Sequence, residues 1–125
     1  MMTQAELPII ALLRSPDSIR EDVLRTFGDE EEAATRFAIQ WAWNNRRDKT
    51  LDKRTAAQRC GIKAPHFSNI INGKKHLPPH KINAFEWAMG NKAVSMTLER
   101  FRQIRERDLV AGLARAVAEN MVRAA

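Results

Sequence analysis

The sequence holds a single cysteine, Cys60, among its 125 residues. An intrachain disulfide framework is therefore excluded, and a cysteine-based zinc site would need unusual partners; such usage fits a reducing compartment. No apolar run approaches the roughly 18 residues that suggest a membrane span. The N-terminus also lacks the charged start, apolar centre and small-residue cleavage site of a secretory signal, so the chain is expected in the cytoplasm and away from membranes. Strand alternation is missing too. So are a phosphate-cradling glycine loop and a paired-carboxylate constellation, which leaves an enzyme reaction without a site. No cofactor, metal or small-molecule substrate is expected.

What the chain does have is helix punctuation and positive charge. Hydrophobic residues make up 44% and charged residues 29%, the composition of a soluble globular protein with one modest core. The net charge is +6, and its distribution says more than its size. Residues 1–43 carry four arginines against eight carboxylates, whereas residues 44–107 carry fifteen lysines and arginines against five. Residues 108–125 are balanced, with Arg115 and Arg123 offsetting Asp108 and Glu119. A local basic excess of this kind is how a nucleic-acid footprint looks in sequence, because cations that neutralise phosphates gather on one face.

The pattern predicts an all-α chain. ELPIIALLR suggests a short helix or packing arm from about Pro8. Ser15 before Pro16 is a cap before a proline, and Ile19, Val23, Leu24 and Phe27 form an apolar face, so a helix is expected over 16–27, stopped by Gly28. Asp29 is expected to cap the next helix, with Glu30, Glu31 and Glu32 in its first turn and Arg46 and Arg47 at its far end, complementing the helix dipole. Trp41 and Trp43 lie in that amphipathic pattern and are assigned to packing rather than base stacking. Asp52 caps KRTAAQRC, Gly61 ends it, and Ala64 to Asn72 form a second short helix closed by Gly73. LPPHKINAFEWAMG then gives a helix with Ile82, Phe85 and Met89 inward, ending at Gly90. Asn91 caps a final run with Val94, Leu98, Phe101 and Ile104, and Leu109, Leu113, Val117 and Met121 continue its stripe. The expected organisation is a helical extension over 1–28, a central domain over 29–107 and a C-terminal helix over 108–125.

Two short helices around a tight turn are the ingredients of a helix-turn-helix, whose second helix enters the major groove. Residues 51–73 carry Ala56-Ala57, then Gly61, then Ile62, Phe67 and Ile70, then Asn72-Gly73. In that register the sequence resembles the helix-turn-helix of the Cro and lambda repressor family, and the downstream helix through Gly90 resembles the fourth helix of small prophage regulators. The resemblance covers about 50–95, and more loosely 30–105. It implies a lambda-repressor-like bundle with N- and C-terminal helical extensions, acting as a transcriptional regulator on a double-stranded DNA operator.

By that pattern Ala64 and Pro65 stand where the principal base readers stand, yet neither has a hydrogen-bonding side chain. Base reading is therefore assigned to Lys63, His66, Ser68 and Asn69 as well: Asn69 can pair bidentately with adenine, Lys63 can reach guanine, and Ala64 or Pro65 can touch a thymine methyl. Lys53 and Asn72 match the family's phosphate contacts, and Lys74 and Lys75 lie where the turn meets the backbone. Other groups invite other readings. His76 and His80 have i, i+4 spacing, but prolines interrupt them and nothing completes a metal set; Cys60 falls on a core-facing position, as small buried thiols commonly do. The C-terminal stripe suits folding back on the domain or a homodimer that reads two half-sites. The rival reading is a protein-interaction module, antitoxin-like or an anti-host factor, that uses the same helices to bind another protein.

Overall fold

A computed structural model describes residues 14–124. Among them are six α-helices: α1 (Glu21–Arg25), α2 (Glu31–Asn44), α3 (Lys53–Cys60), α4 (Ala64–Ile71), α5 (Ile82–Met89) and α6 (Ala93–Ala124), with a 3-10 turn over Pro79–Lys81 ahead of α5. No strand occurs among the described residues, only an isolated parallel bridge between Asp17 and Asn91. The expectation of an all-α chain holds, and the final run is one helix of 32 residues, about 48 Å long. The suggested helix near Pro8 falls outside the described residues.

The core forms where α2, α3, α4, α5 and the first part of α6 meet. Ala34, Ala38 and Ala42 recur along one side of α2 and are fully buried, letting α6 approach closely with Ala93, Val94, Thr97 and Phe101. The two helices run antiparallel: the Asn91 side-chain amide donates to the Ala42 carbonyl at one end, and Arg105 bonds Glu31 at 2.5 Å at the other. Phe67 of α4 packs against Trp43 of α2 with ring centroids 5.9 Å apart and against Phe85 of α5 at 6.2 Å. Trp41 meets Phe27 edge-on at 6.3 Å. Both tryptophans therefore serve packing, as their helical spacing predicted.

Two expectations for the N-terminal part need correction. The helix expected over 16–27 is confined to α1, because residues before it are drawn into long-range backbone bonds. The Asp17 amide donates to the Gly90 carbonyl and the Lys92 amide donates to the Asp17 carbonyl, each at 2.9 Å. Arg47 fastens this strap: its guanidinium donates to the carbonyls of Arg14, Ser15 and Gly90 at 3.2, 2.7 and 3.0 Å. The apolar face survives the change of backbone, since Leu24 and Phe27 are buried and Ile19 and Val23 pack against the same core. The second correction concerns the cap of α2. Glu30 fills it, its carboxylate accepting the amides of Glu32 and Ala33, while Asp29 is held by Arg100 at 3.0 Å. The acidic run is long enough for a shift of one residue to leave carboxylates in the first turn.

Candidate nucleic-acid interface

The α3–α4 pair is built by local chemistry. Asp52 accepts the Thr55 amide at 2.7 Å and so starts α3; this bond holds its carboxyl below the usual aspartate range. Ala56, Ala57 and Cys60 bury the inner side of the helix. Gly61 then takes φ +67°, the left-handed conformation that costs glycine little, and the Ile62 amide closes the turn on the Ala57 carbonyl at 2.9 Å. Cys60 is 2% exposed, and burial pushes its thiol up to about 11, which makes it a packing residue with little thiolate at neutral pH.

α4 is held from one side. Phe67, Ile70 and Ile71 are buried, with Phe67 at 0% exposure, and truncating such a ring in a core costs about 3–5 kcal/mol. The register this sets turns Lys63, Ala64, Pro65 and His66 into solvent and leaves Ser68 and Asn69 half-buried. Lys63 is the N-cap residue, and its side chain makes no bond to the helix, so the first-turn amides have no side-chain cap. At the other end, the Asn69 carbonyl accepts the amides of both Lys74 and Lys75, at 2.8 and 3.3 Å, which fixes the backbone of the lysine pair beside the helix.

Lys53 and Asn72 come together. With Ile71 they line a polar cleft of about 280 Å³ that Gln40, Trp43 and Asn44 of α2 complete. Gln40 and Asn44 were not singled out from the sequence; the signal available was their i, i+4 spacing on the polar edge of an otherwise apolar-sided helix. Trp43 is covered on one side by the Arg46 guanidinium, 4.0 Å from the ring centroid. Arg46 in turn donates to the carbonyls of Trp43, Lys49 and Leu51, tying the end of α2 to the loop before α3.

No protein-family model, curated protein or solved structure matches this chain.

The electrostatics separate the two sides of the bundle. Every ion pair formed by a described arginine or lysine uses Arg14, Arg20, Arg25, Arg36, Arg47, Arg100, Arg102 or Arg105. Lys53, Arg54, Arg59, Lys63, Lys74, Lys75 and Lys81, all on or beside α3 and α4, pair with no carboxylate among the described residues. The side chains of His66, Ser68, Asn69 and Asn72 likewise make no hydrogen bond to another described side chain or backbone group. The lysines and arginines on and beside α3 and α4 are thus unpaired, whereas Arg25 of α1, Arg36 of α2 and Arg100, Arg102 and Arg105 of α6 are paired, and the arginines of α6 without a carboxylate among the described residues, Arg107, Arg115 and Arg123, lie along its exposed end. His76 and His80 join no cluster of three or more potential metal ligands among the described residues; His76 stands 3.8 Å from Glu32.

Proposed function

We propose that this chain is a lambda-repressor-like helix-turn-helix protein that binds double-stranded DNA by sequence, as a bacterial or prophage transcriptional regulator in the cytoplasm. In this reading it represses by occupying a promoter as a homodimer and needs no cofactor. The observation that carries it is the uncommitted outer side of the α3–α4 pair, where lysines and arginines without carboxylate partners surround polar side chains without partners of their own. Unpaired cations attract phosphates, and free amide and imidazole groups at one helix face match base edges. Lys63, His66, Ser68 and Asn69, with Ala64 and Pro65 as apolar contacts, take the bases; Lys53, Asn72, Lys74 and Lys75 take the backbone.

The test is to select bound sequences from a random DNA pool and titrate variants against the recovered site by fluorescence anisotropy at two salt concentrations. Asn69→Ala or His66→Ala is expected to weaken binding to that site by about 1–3 kcal/mol and spare nonspecific binding. Lys75→Ala is expected to weaken binding to every sequence, with a shallower salt slope. Equal losses for all variants on all sequences would refute the base-reading role of Asn69. A second reading, an antitoxin-like or anti-host protein-interaction module, is favoured by the exposed apolar side chains along the end of α6, and absence of any sequence preference in the selection would support it.

A further inference from the structure

α6 belongs to the bundle only up to Ile104. Beyond Arg105, whose guanidinium still holds Glu31, every residue from Glu106 to Ala124 except Gly112 is exposed, so the helix runs about 28 Å past the start of α2. A free helix of this length is marginal in water, and Gly112 in its interior weakens it further by about 1 kcal/mol relative to alanine. Yet one side is apolar. Val110, Leu113, Ala114, Val117, Ala118 and Met121 line a shallow surface that is almost wholly nonpolar, with Val110, Leu113, Val117 and Met121 at 61%, 58%, 57% and 69% exposure. Arg115, Glu119 and Asp108 fall on the opposite side of the helix.

We propose that this stripe is the seat of a second copy of the same chain, packed antiparallel about Val117. The proposal supplies the surface for the homodimer in the reading above, and it stands on the arm rather than on DNA recognition. Three observations select a second copy. From Asp108 onward, the stretch that would pair, the arm carries balanced charge, Arg115 and Arg123 against Asp108 and Glu119, so identical arms do not repel there and no charged partner is specified. Its size also fits: an isologous seam counts each contact twice, and the stripe with its alanines buries on the order of 1,000 Å² in total, the lower edge of a specific interface. Finally, α4 packs chiefly on α3 and α2 whereas α6 packs on α2, α5 and α1, so pairing through the far end of α6 does not call on the α3–α4 surface.

The direction follows from Glu106, one turn before Val110 on the same line. Parallel pairing would bring two Glu106 carboxylates onto the seam together, each already engaged by Arg102. Antiparallel pairing sets Val110 opposite Ala124 and Leu113 opposite Met121, and holds the two Glu106 carboxylates apart at opposite ends of the seam.

Sedimentation equilibrium on the full chain without DNA is the test. A dimer is expected at tens of micromolar, and Val117→Glu is expected to raise its dissociation constant at least about 100-fold while leaving the unfolding of the bundle unchanged. In mixed samples under mild oxidation, chains with Leu113→Cys are expected to cross-link to chains with Met121→Cys and neither to its own kind. A monomer at 100 µM, or a dimer that Val117→Glu leaves intact, overturns the proposal; self-linking of either cysteine variant overturns the antiparallel arrangement. A monomer in which a thiol at Val117→Cys resists labelling would assign the stripe to the chain's own first thirteen residues and overturn it equally. Self-association without sequence preference in the DNA selection would leave this proposal standing and remove the DNA reading.

Discussion

Replacing Gly90 by alanine puts a number on the corner that joins α5 to α6. Gly90 sits at φ +83°, and a side chain there costs about 1–2 kcal/mol for the left-handed backbone alone. Its Cβ would also lie 2.6 Å from Arg47 Cβ and 3.0 Å from Arg47 Nε. The first of these is the root of a side chain whose own amide donates to the Met89 carbonyl at 2.7 Å, so it can retreat only if the end of α2 moves. Arg47 Nε is buried with no hydrogen-bond partner among the described residues, and displacing the guanidinium puts its bonds to Arg14, Ser15 and Gly90 at risk. With about 1 kcal/mol net for each of two such bonds, the substitution should cost about 3–4 kcal/mol. Gly61→Ala is the control. Its φ is +67°, but the added Cβ would meet only Lys81 Nζ, at 2.9 Å, the tip of a flexible side chain. The expected cost is the backbone part alone, about 1–2 kcal/mol. Urea denaturation followed by circular dichroism measures both, and losses that agree within about 0.5 kcal/mol would refute the steric reasoning at Arg47.

Glu86 gives a pH dependence. It is 6% exposed and accepts the Ser95 amide at 2.9 Å; burial pushes its carboxyl above the usual glutamate range, with the Ser95 bonds and the Lys92 charge opposing. The folded state therefore holds this proton more tightly than the unfolded state, and the group's contribution is greatest below its unfolded pKa and is lost as pH rises through the folded one. Glu86→Gln, which keeps an acceptor for Ser95, is expected to be more stable than the wild type at pH 7 and to converge with it in acid; a lower melting temperature at pH 7 would contradict this. Cys60 should react with Ellman's reagent only as fast as the native protein opens, and rapid labelling of the folded chain would show that the thiol is not where its 2% exposure places it.

The elements nearest the candidate interface were the most legible, because local punctuation decides them. Asp52 and Gly61 bound α3 at Lys53–Cys60, and α4 closes within a residue of the expected end. The first helix was misread for the opposite reason: the carbonyls of Arg14, Ser15 and Asp17 find partners more than thirty residues away, and neither Ser15 nor Pro16 carries a sign of that. Periodicity failed in a different way on α6. Leu113 and Val117 were expected to continue the stripe of Val94 and Phe101, but on one helix they fall roughly 130° further round, so the first pair is buried against the bundle and the second forms a separate, exposed face. The cleft beside Lys53 was half legible. Lys53 and Asn72 stood out through the resemblance, whereas Gln40 and Asn44 reach it only because α2 crosses behind α4.

The strap between Asp17 and the residues around Asn91 bears on time as well as shape. The contacts of α3, α4 and α5 with one another are comparatively local, whereas the Asp17 backbone bonds close loops of more than seventy residues and the Arg47 bonds to Arg14 and Ser15 loops of more than thirty, and loop-closure entropy makes such contacts, like the packing of α2 on α6, late arrivals on a folding route. A contact formed after the rate-limiting step restrains escape from the folded state without hastening arrival there. Weakening Arg47 or Asp17 should thus shorten the lifetime of the native bundle while leaving its refolding rate nearly unchanged.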